Sequence, residues 1–370
     1  MKTILTVFGT RPEAIKMCPL VKELKTRRTL KTVVCVTGQH REMLDSSLEA
    51  FDLTPDYNLS VMKDGQTLTD VTGRVLRGIG SVLDRVNPDV VLVHGDTTTA
   101  FATALACFYR QIPVGHVEAG LRTYDLQSPY PEEFNRRAIS LISKFNFAPT
   151  ESARENLQRE GIHRDSIYVT GNTVIDALKA SVCEEYVHPE LEWAKGSRLV
   201  IITAHRRESL DLPMHNMFRG IRRVIEEHPE VKAIYPMHKN PKLRAIAKRE
   251  LGNCNRIHVI EPLGVIDFHN FLRRSYIILT DSGGIQEEAT ALGKPVLVMR
   301  DTTERPEGIK AGTLKLVGTG EEGVYANFKL LLESDAVYQS MSKSVGSYGD
   351  GFASKRIADI LERTAISYKN

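Results

Sequence analysis

Short runs of consecutive apolar residues alternate along this chain with longer stretches in which apolar positions recur every three or four residues. A run of about four to eight reads as a strand buried on both faces, and the 3.6-residue repeat as an amphipathic helix. In the first half the candidate strands are Thr3 to Phe8, Thr32 to Thr37, Val90 to His94, Val114 to Glu118, Phe145 to Ala148 and Ile167 to Val169. Between them, Leu68, Val71, Val75, Ile79, Val82 and Val86 mark one face of a helix. The pattern starts afresh with Leu199 to Thr203, Ala233 to Pro236, His258 to Ile260, Ile277 to Thr280 and Val296 to Met299. Two rounds of strand and helix predict an α/β protein of two Rossmann-like domains with largely parallel sheets. The domains are expected at residues 1–170 and 171–353, with a junction near Thr170 to Asn172. The helix after it, Val174 to Val187, fits either domain. A last helix, about Ser354 to Thr364 within residues 354–370, is expected to fold back across the junction and pack on the first domain.

Size agrees with two domains, because 370 residues exceed what one hydrophobic core organises. The 49 Lys and Arg against 46 Asp and Glu leave a net charge of +3, too little to make a nucleic-acid or membrane surface. Cys18, Cys35, Cys107, Cys183 and Cys254 are scattered and form no CxxC pair, which points away from disulfides and structural zinc. No apolar run approaches the roughly 20 residues of a membrane span. The apolar start, Met1 to Phe8, lacks a signal-peptide cleavage pattern, so a cytoplasmic protein is expected. A GxGxxG turn is missing after the first strand, which disfavours a tightly held dinucleotide.

Ligands of open α/β sheets gather at the carboxyl ends of the strands, and here those ends are charged. Strand one runs into Gly9-Thr10-Arg11-Pro12-Glu13-Ala14-Ile15-Lys16, placing Arg11 and Lys16 near a helix N-terminus suited to phosphate or simply capping that helix. Asp96, in His94-Gly95-Asp96-Thr97-Thr98-Thr99, is either a helix N-cap or a catalytic acid. Glu118 ends a buried strand, where an unpaired charge is costly. Pro131-Glu132-Glu133 has the form of an ordinary helix start, with proline at N1 and acids in the first turn. Three acids converging on one cleft would supply a general acid and a general base. In the second half, Ala204-His205-Arg206-Arg207-Glu208 and Pro236-Met237-His238-Lys239 make strand ends basic, and the histidines lack metal-ligand spacing. Thr280-Asp281-Ser282-Gly283-Gly284-Ile285-Gln286-Glu287-Glu288 joins a strand end to a helix start whose N–H groups and dipole suit a diphosphate. Glu288, about a turn and a half in, would then reach a ribose hydroxyl.

Taken together, GTRPEAIKM, GDTTT, HVEAGLRT, SPYPEEFNR, GNTVIDAL, HRRES, DSGGIQEEA and GKPVLVMRDTTERPEG, in order from Gly9 to Gly308, resemble the signature series of the bacterial non-hydrolysing UDP-N-acetylglucosamine 2-epimerases. The resemblance spans nearly the whole chain. It implies a glycosyltransferase-B type fold with the active site in the interdomain cleft and UDP gripped mainly by the C-terminal domain. By resemblance, Asp96, Glu118, Glu132 and His205 match catalytic positions, and Arg11 and Lys16 match residues near the sugar and phosphates. Ser282, Gly283, Gly284 and Glu288 match diphosphate and ribose contacts, and Phe268 a residue close to the base. Gln39, Gln66, Arg206 and His238 match a second substrate site through which bacterial members are activated. The chain departs from the family pattern at Asp211, where glycine is usual, and at Thr290, where proline is common.

The implied reaction is reversible epimerisation at carbon 2 of UDP-N-acetylglucosamine, supplying N-acetylmannosamine units for cell-surface polysaccharide. The expected partners are UDP-N-acetylglucosamine, UDP and a second copy of the chain in a homodimer, with no cofactor, metal, nucleic acid or membrane. The hydrogen on carbon 2 is barely acidic, so elimination of UDP to a 2-acetamidoglucal and re-addition is the expected route. Carboxylates would carry the proton, and cations with a helix N-terminus would carry the departing diphosphate. A hydrolysing epimerase, a glycosyltransferase of the same fold and a nucleotide-sugar sensor are the competing readings.

Overall fold

The computed structural model describes residues 1–38, 41–63, 65–206, 209–303, 305–343 and 346–365. The chain divides into two compact units, Met1–Ala180 with Tyr348–Asn370, and Ser181–Ser347.

The first unit carries β1 (Lys2–Phe8), β2 (Leu30–Val36), β3 (Tyr57–Asn58), β4 (Val90–His94), β5 (Val114–Val117), β6 (Phe145–Ala148) and β7 (Ile167–Val169). They form one parallel sheet in the order β3-β2-β1-β4-β5-β6-β7. Its central strands are buried on both faces, which is why their sequences are mostly apolar. The helix Leu68–Val86 spans the predicted repeat and buries Val71, Val75, Ile79, Val82 and Leu83. Thr67 and Asp70 close its amino end as a capping box, and Asn87 ends it in the left-handed conformation at φ 45°.

The second unit repeats the plan with β8 (Arg198–Thr203), β9 (Val231–Pro236), β10 (Ile257–Ile260), β11 (Ile277–Thr280), β12 (Val296–Val298) and β13 (Leu314–Leu316). These strands are parallel in the order β10-β9-β8-β11-β12-β13. Phe218, Phe271 and Phe328 are fully buried in its core, each contributing roughly 1.5–3 kcal/mol by leaving water. Strand order reverses beside β1 and β4 in one sheet and beside β8 and β11 in the other, so each unit has one crevice where a ligand seats naturally.

Some details differ from the sequence reading. β3 is too short to leave an apolar run, and in β13 Lys315 interrupts it. The helix expected over Val174 to Val187 ends early, spanning Thr173–Ser181, and it belongs to the first unit. Its Asp176 carboxylate accepts the N–H groups of Ala353 (3.2 Å) and Ser354 (2.8 Å), which ties it to the start of the last helix, Ala353–Arg363. That helix also lies in the first unit, with Ile357, Ala358 and Leu361 fully buried.

Candidate active site

In the first unit the site is built from the β1 end outward. Thr10 caps the helix Arg11–Lys25, accepting from the Glu13 N–H. The Glu13 carboxylate in turn accepts the N–H groups of Gly9 (3.0 Å) and Thr10 (2.8 Å). Burial raises the pKa of Glu13 in spite of these bonds and one from Thr97. The capped turn sets Arg11 at the first helical position and carries Lys16, itself buried, into an ion pair with Glu118.

Glu118 lies one residue beyond β5, at φ 66°, in a conformation a non-glycine residue adopts at a cost of about 1–3 kcal/mol. Its Oε2 accepts Asn172 Nδ2–H at 2.7 Å, and His94 Nε2 stands 3.8 Å away. Burial pushes the His94 pKa down to about 4 against the pull of Glu118, so at neutral pH this ring is uncharged and Lys16 is the carboxylate's cationic partner. His116, held at about 4 by the same cause, bonds the Gly95 carbonyl through Nε2 (2.7 Å) and Ser140 Oγ through Nδ1 (3.2 Å). The carbonyl contact makes Nε2 the protonated nitrogen, and it fixes the turn that presents Asp96.

Of the two readings the sequence left open at Asp96, the structure removes the helix cap. The cap of the next helix, Thr98–Tyr109, is Thr97, whose hydroxyl accepts the Ala100 N–H at 3.0 Å. Asp96 instead directs its carboxylate to Arg136, while its carbonyl accepts from Asn135 Nδ2 at 2.8 Å. Both partners come from the helix Glu132–Ile142, which begins at Glu132. Pro131 occupies the cap of that helix rather than N1. Glu133 is wholly buried and accepts the N–H groups of Thr123 (3.0 Å) and Tyr124 (3.1 Å), a scaffold role, whereas Glu132 stays partly exposed.

In the second unit the organising residue is Asp281, fully buried at the end of β11. Its Oδ2 accepts the backbone N–H of His205 (2.7 Å) and of Arg206 (2.9 Å), and its carbonyl accepts Arg206 Nε–H at 2.9 Å. His205 Nδ1 lies 3.4 Å from Asp281 Oδ1, and its ring is stacked 6.4 Å from that of His238, at the end of β9. Ser282 is the N-cap of the helix Gly283–Ala291 yet makes no side-chain capping bond. A Cβ on Gly284 would meet nothing within 4 Å, so the start of this helix is open. With first-turn N–H groups that have no partner inside the helix, this start suits an anion. Further along, Glu288 is buried with Oε1 3.7 Å from His269 Nε2 and Oε2 lacking a hydrogen-bond partner. Phe268, on the helix Val265–Arg274, packs partly buried against the same core.

A family model described as UDP-N-acetylglucosamine 2-epimerase matches residues 22–362. The UDP-N-acetylglucosamine 2-epimerase of Bacillus subtilis (strain 168) is 54% identical over 358 residues, 97% of this chain and 94% of that protein. The chain belongs to the UDP-N-acetylglucosamine 2-epimerase family. The Neisseria meningitidis UDP-GlcNAc 2-epimerase, solved bound to UDP-GlcNAc, is similar at TM-score 0.93 and 46% identity, covering 98% of this chain and 100% of that one. An S. aureus protein solved with UDP has TM-score 0.93 and 51% identity, with 98% and 96% covered. The two parallel-sheet units of this epimerase match the glycosyltransferase-B-like fold of those structures.

Of the positions matched to an activating site, Gln66 lies in the first unit, where its Oε1 accepts from Arg74 Nη1 (2.8 Å) and Lys63 N (3.1 Å). Arg206 and His238 lie in the second unit, and Gln39 falls outside the described residues. Sequence reasoning passed over Asn172, Arg136 and Asp281 as site residues. Each was visible in a quoted motif, but each acts by holding another residue, and only the fold reveals the partner. Among the described residues no group of three or more His, Cys, Asp or Glu is placed to hold a metal ion, and no helix is long and apolar enough to cross a membrane.

Proposed function

We propose that this epimerase interconverts UDP-N-acetylglucosamine and UDP-N-acetylmannosamine without net hydrolysis, providing N-acetylmannosamine units for polysaccharide. The observation that carries the reading is Glu118, a carboxylate on strained backbone at a strand end, gripped by Lys16 and Asn172. In the forward direction a base takes the carbon-2 proton as the bond from carbon 1 to the UDP oxygen breaks, leaving 2-acetamidoglucal and UDP. UDP then adds back to carbon 1 while a proton is delivered to the opposite face of carbon 2. Asp96, Glu118 and Glu132 carry these protons, with Arg11, Lys16 and His205 close to the sugar and diphosphate. Ser282, Gly283 and Gly284 hold the diphosphate at the helix start, Glu288 the ribose, and Phe268 borders the base. In deuterated water the reaction is expected to give UDP-N-acetylmannosamine in equilibrium with substrate, with deuterium at carbon 2 by NMR. Free N-acetylmannosamine as the main product would overturn the proposal in favour of a hydrolysing enzyme.

The same reading extends to a homodimer. Phe108, Tyr109, Phe134 and Leu141 are 53%, 70%, 49% and 73% exposed on the helices Thr98–Tyr109 and Glu132–Ile142, an apolar face that a second copy would cover. Sedimentation at micromolar concentration is expected to show a dimer, and Leu141→Glu with Phe108→Glu a monomer. A wild-type monomer counts against it.

A further inference from the structure

We propose that Asn172 is a positioning residue for Glu118, holding that carboxylate through an amide whose orientation a helix cap dictates. The proposal rests on the reading that Glu118 acts on a substrate proton. Asn172 directly precedes the helix Thr173–Ser181, and its Oδ1 accepts the Val174 N–H at 3.1 Å. An amide has one acceptor end and one donor end, set by the same planar group. With the oxygen committed to the helix, Nδ2 must face away from it, and there it donates to Glu118 Oε2 at 2.7 Å. Asn172 is 2% exposed, so neither bond competes with bulk water.

The loop behind Asn172 is also fixed. Its backbone N–H donates to the Tyr348 carbonyl at 2.7 Å. Gly171, at φ 86°, lies against Gly349, at φ 125°, and a Cβ on Gly171 would stand 3.1 Å from the Gly349 Cα. Gly349 belongs to the segment that returns to the first unit, so this return backs the loop that holds the acid. Few residue types serve both ends of the arrangement. Aspartate and serine accept the helix N–H equally well but bring no amide donor to Glu118.

Among the described residues, the charged or titratable groups facing Glu118 include Lys16 from the helix Arg11–Lys25, His94 at the end of β4 and His116 within β5, with Asp96 acting electrostatically on His94. Asn172→Asp keeps the cap but sets a second carboxylate against Glu118, which favours the protonated acid. In that variant kcat is expected to fall roughly tenfold to a hundredfold. The acid limb of its kcat profile should move up by about one pH unit. Asn172→Ser should lose kcat without that upward move; both variants should melt somewhat below wild type, since each disturbs a buried hydrogen bond, but should keep UDP affinity. Wild-type kcat and pH profile in Asn172→Asp would overturn the proposal. If that variant does not fold, wild-type kcat in Asn172→Ser does so. Glu118→Gln separates the two claims. Full activity there defeats the reading of Glu118 itself, whereas an inactive Glu118→Gln beside a fully active Asn172→Asp defeats only the role of Asn172.

Discussion

Asp96→Asn, Glu118→Gln and Glu132→Gln are each expected to lower kcat by about 10² to 10⁴-fold while UDP still binds. The amides keep size and polarity but cannot take a proton, so the loss falls on the chemical steps. Their side effects differ in ways that make the comparison informative. The amide of Glu118→Gln would still accept from Asn172, but it would take from buried Lys16 the negative charge of their ion pair. Asp96→Asn would remove the charge that meets Arg136, for which the Glu133 carboxylate at 3.5 Å remains. Glu132, partly exposed at a helix start, should give the smallest change in melting. Isothermal calorimetry with UDP separates the two meanings: amide variants that no longer bind UDP would show these acids to be scaffold rather than chemistry.

Asp281→Ala is expected to lower stability by about 3 kcal/mol, and the melting of the second unit by roughly 10 °C. The carboxylate accepts two backbone N–H groups, those of His205 and Arg206, and is itself fully buried, so alanine removes the acceptor the two donors share. UDP affinity should fall with stability, because the turn that carries His205 and Arg206 is tied through this residue to the Ser282 end of β11. Asp281→Asn, which retains one acceptor, should recover part of the melting temperature. Identical thermal scans for Asp281→Ala and wild type would show that the turn is held by other contacts.

How much of this architecture could be read from the residues alone was unequal, for good physical reasons. Doubly covered parallel strands are mostly apolar, so β1, β4, β8 and β11 stand out, and with them the strand ends that carry Arg11, Asp96, His205 and Ser282. The two-residue β3 cannot generate such a run. Polar groups at strand ends were visible as candidates but not as partners. Asp96 and Thr97 are neighbours, either of them a good N-cap, and only the backbone decides that Thr97 takes the role. Glu132 and Glu133 look alike in sequence, yet one is partly exposed and the other bonds two buried N–H groups. Thr170-Gly171-Asn172 read as punctuation between domains, because the donor bond from Asn172 to Glu118 joins residues 54 positions apart.

The return of the last helix sets an order of assembly. Lys2, at the start of β1, donates through Nζ to the carbonyls of Leu361 (2.8 Å), Glu362 (2.7 Å) and Thr364 (2.8 Å), the far end of the helix Ala353–Arg363. The second unit is one uninterrupted stretch, so during synthesis it has every residue it needs while the first unit still lacks a helix and the backing of Asn172. A ribosome-bound chain stalled just short of Tyr348 would therefore hold a first-made half that is the last to finish, its Asn172 still waiting for the Tyr348 carbonyl that accepts its backbone N–H.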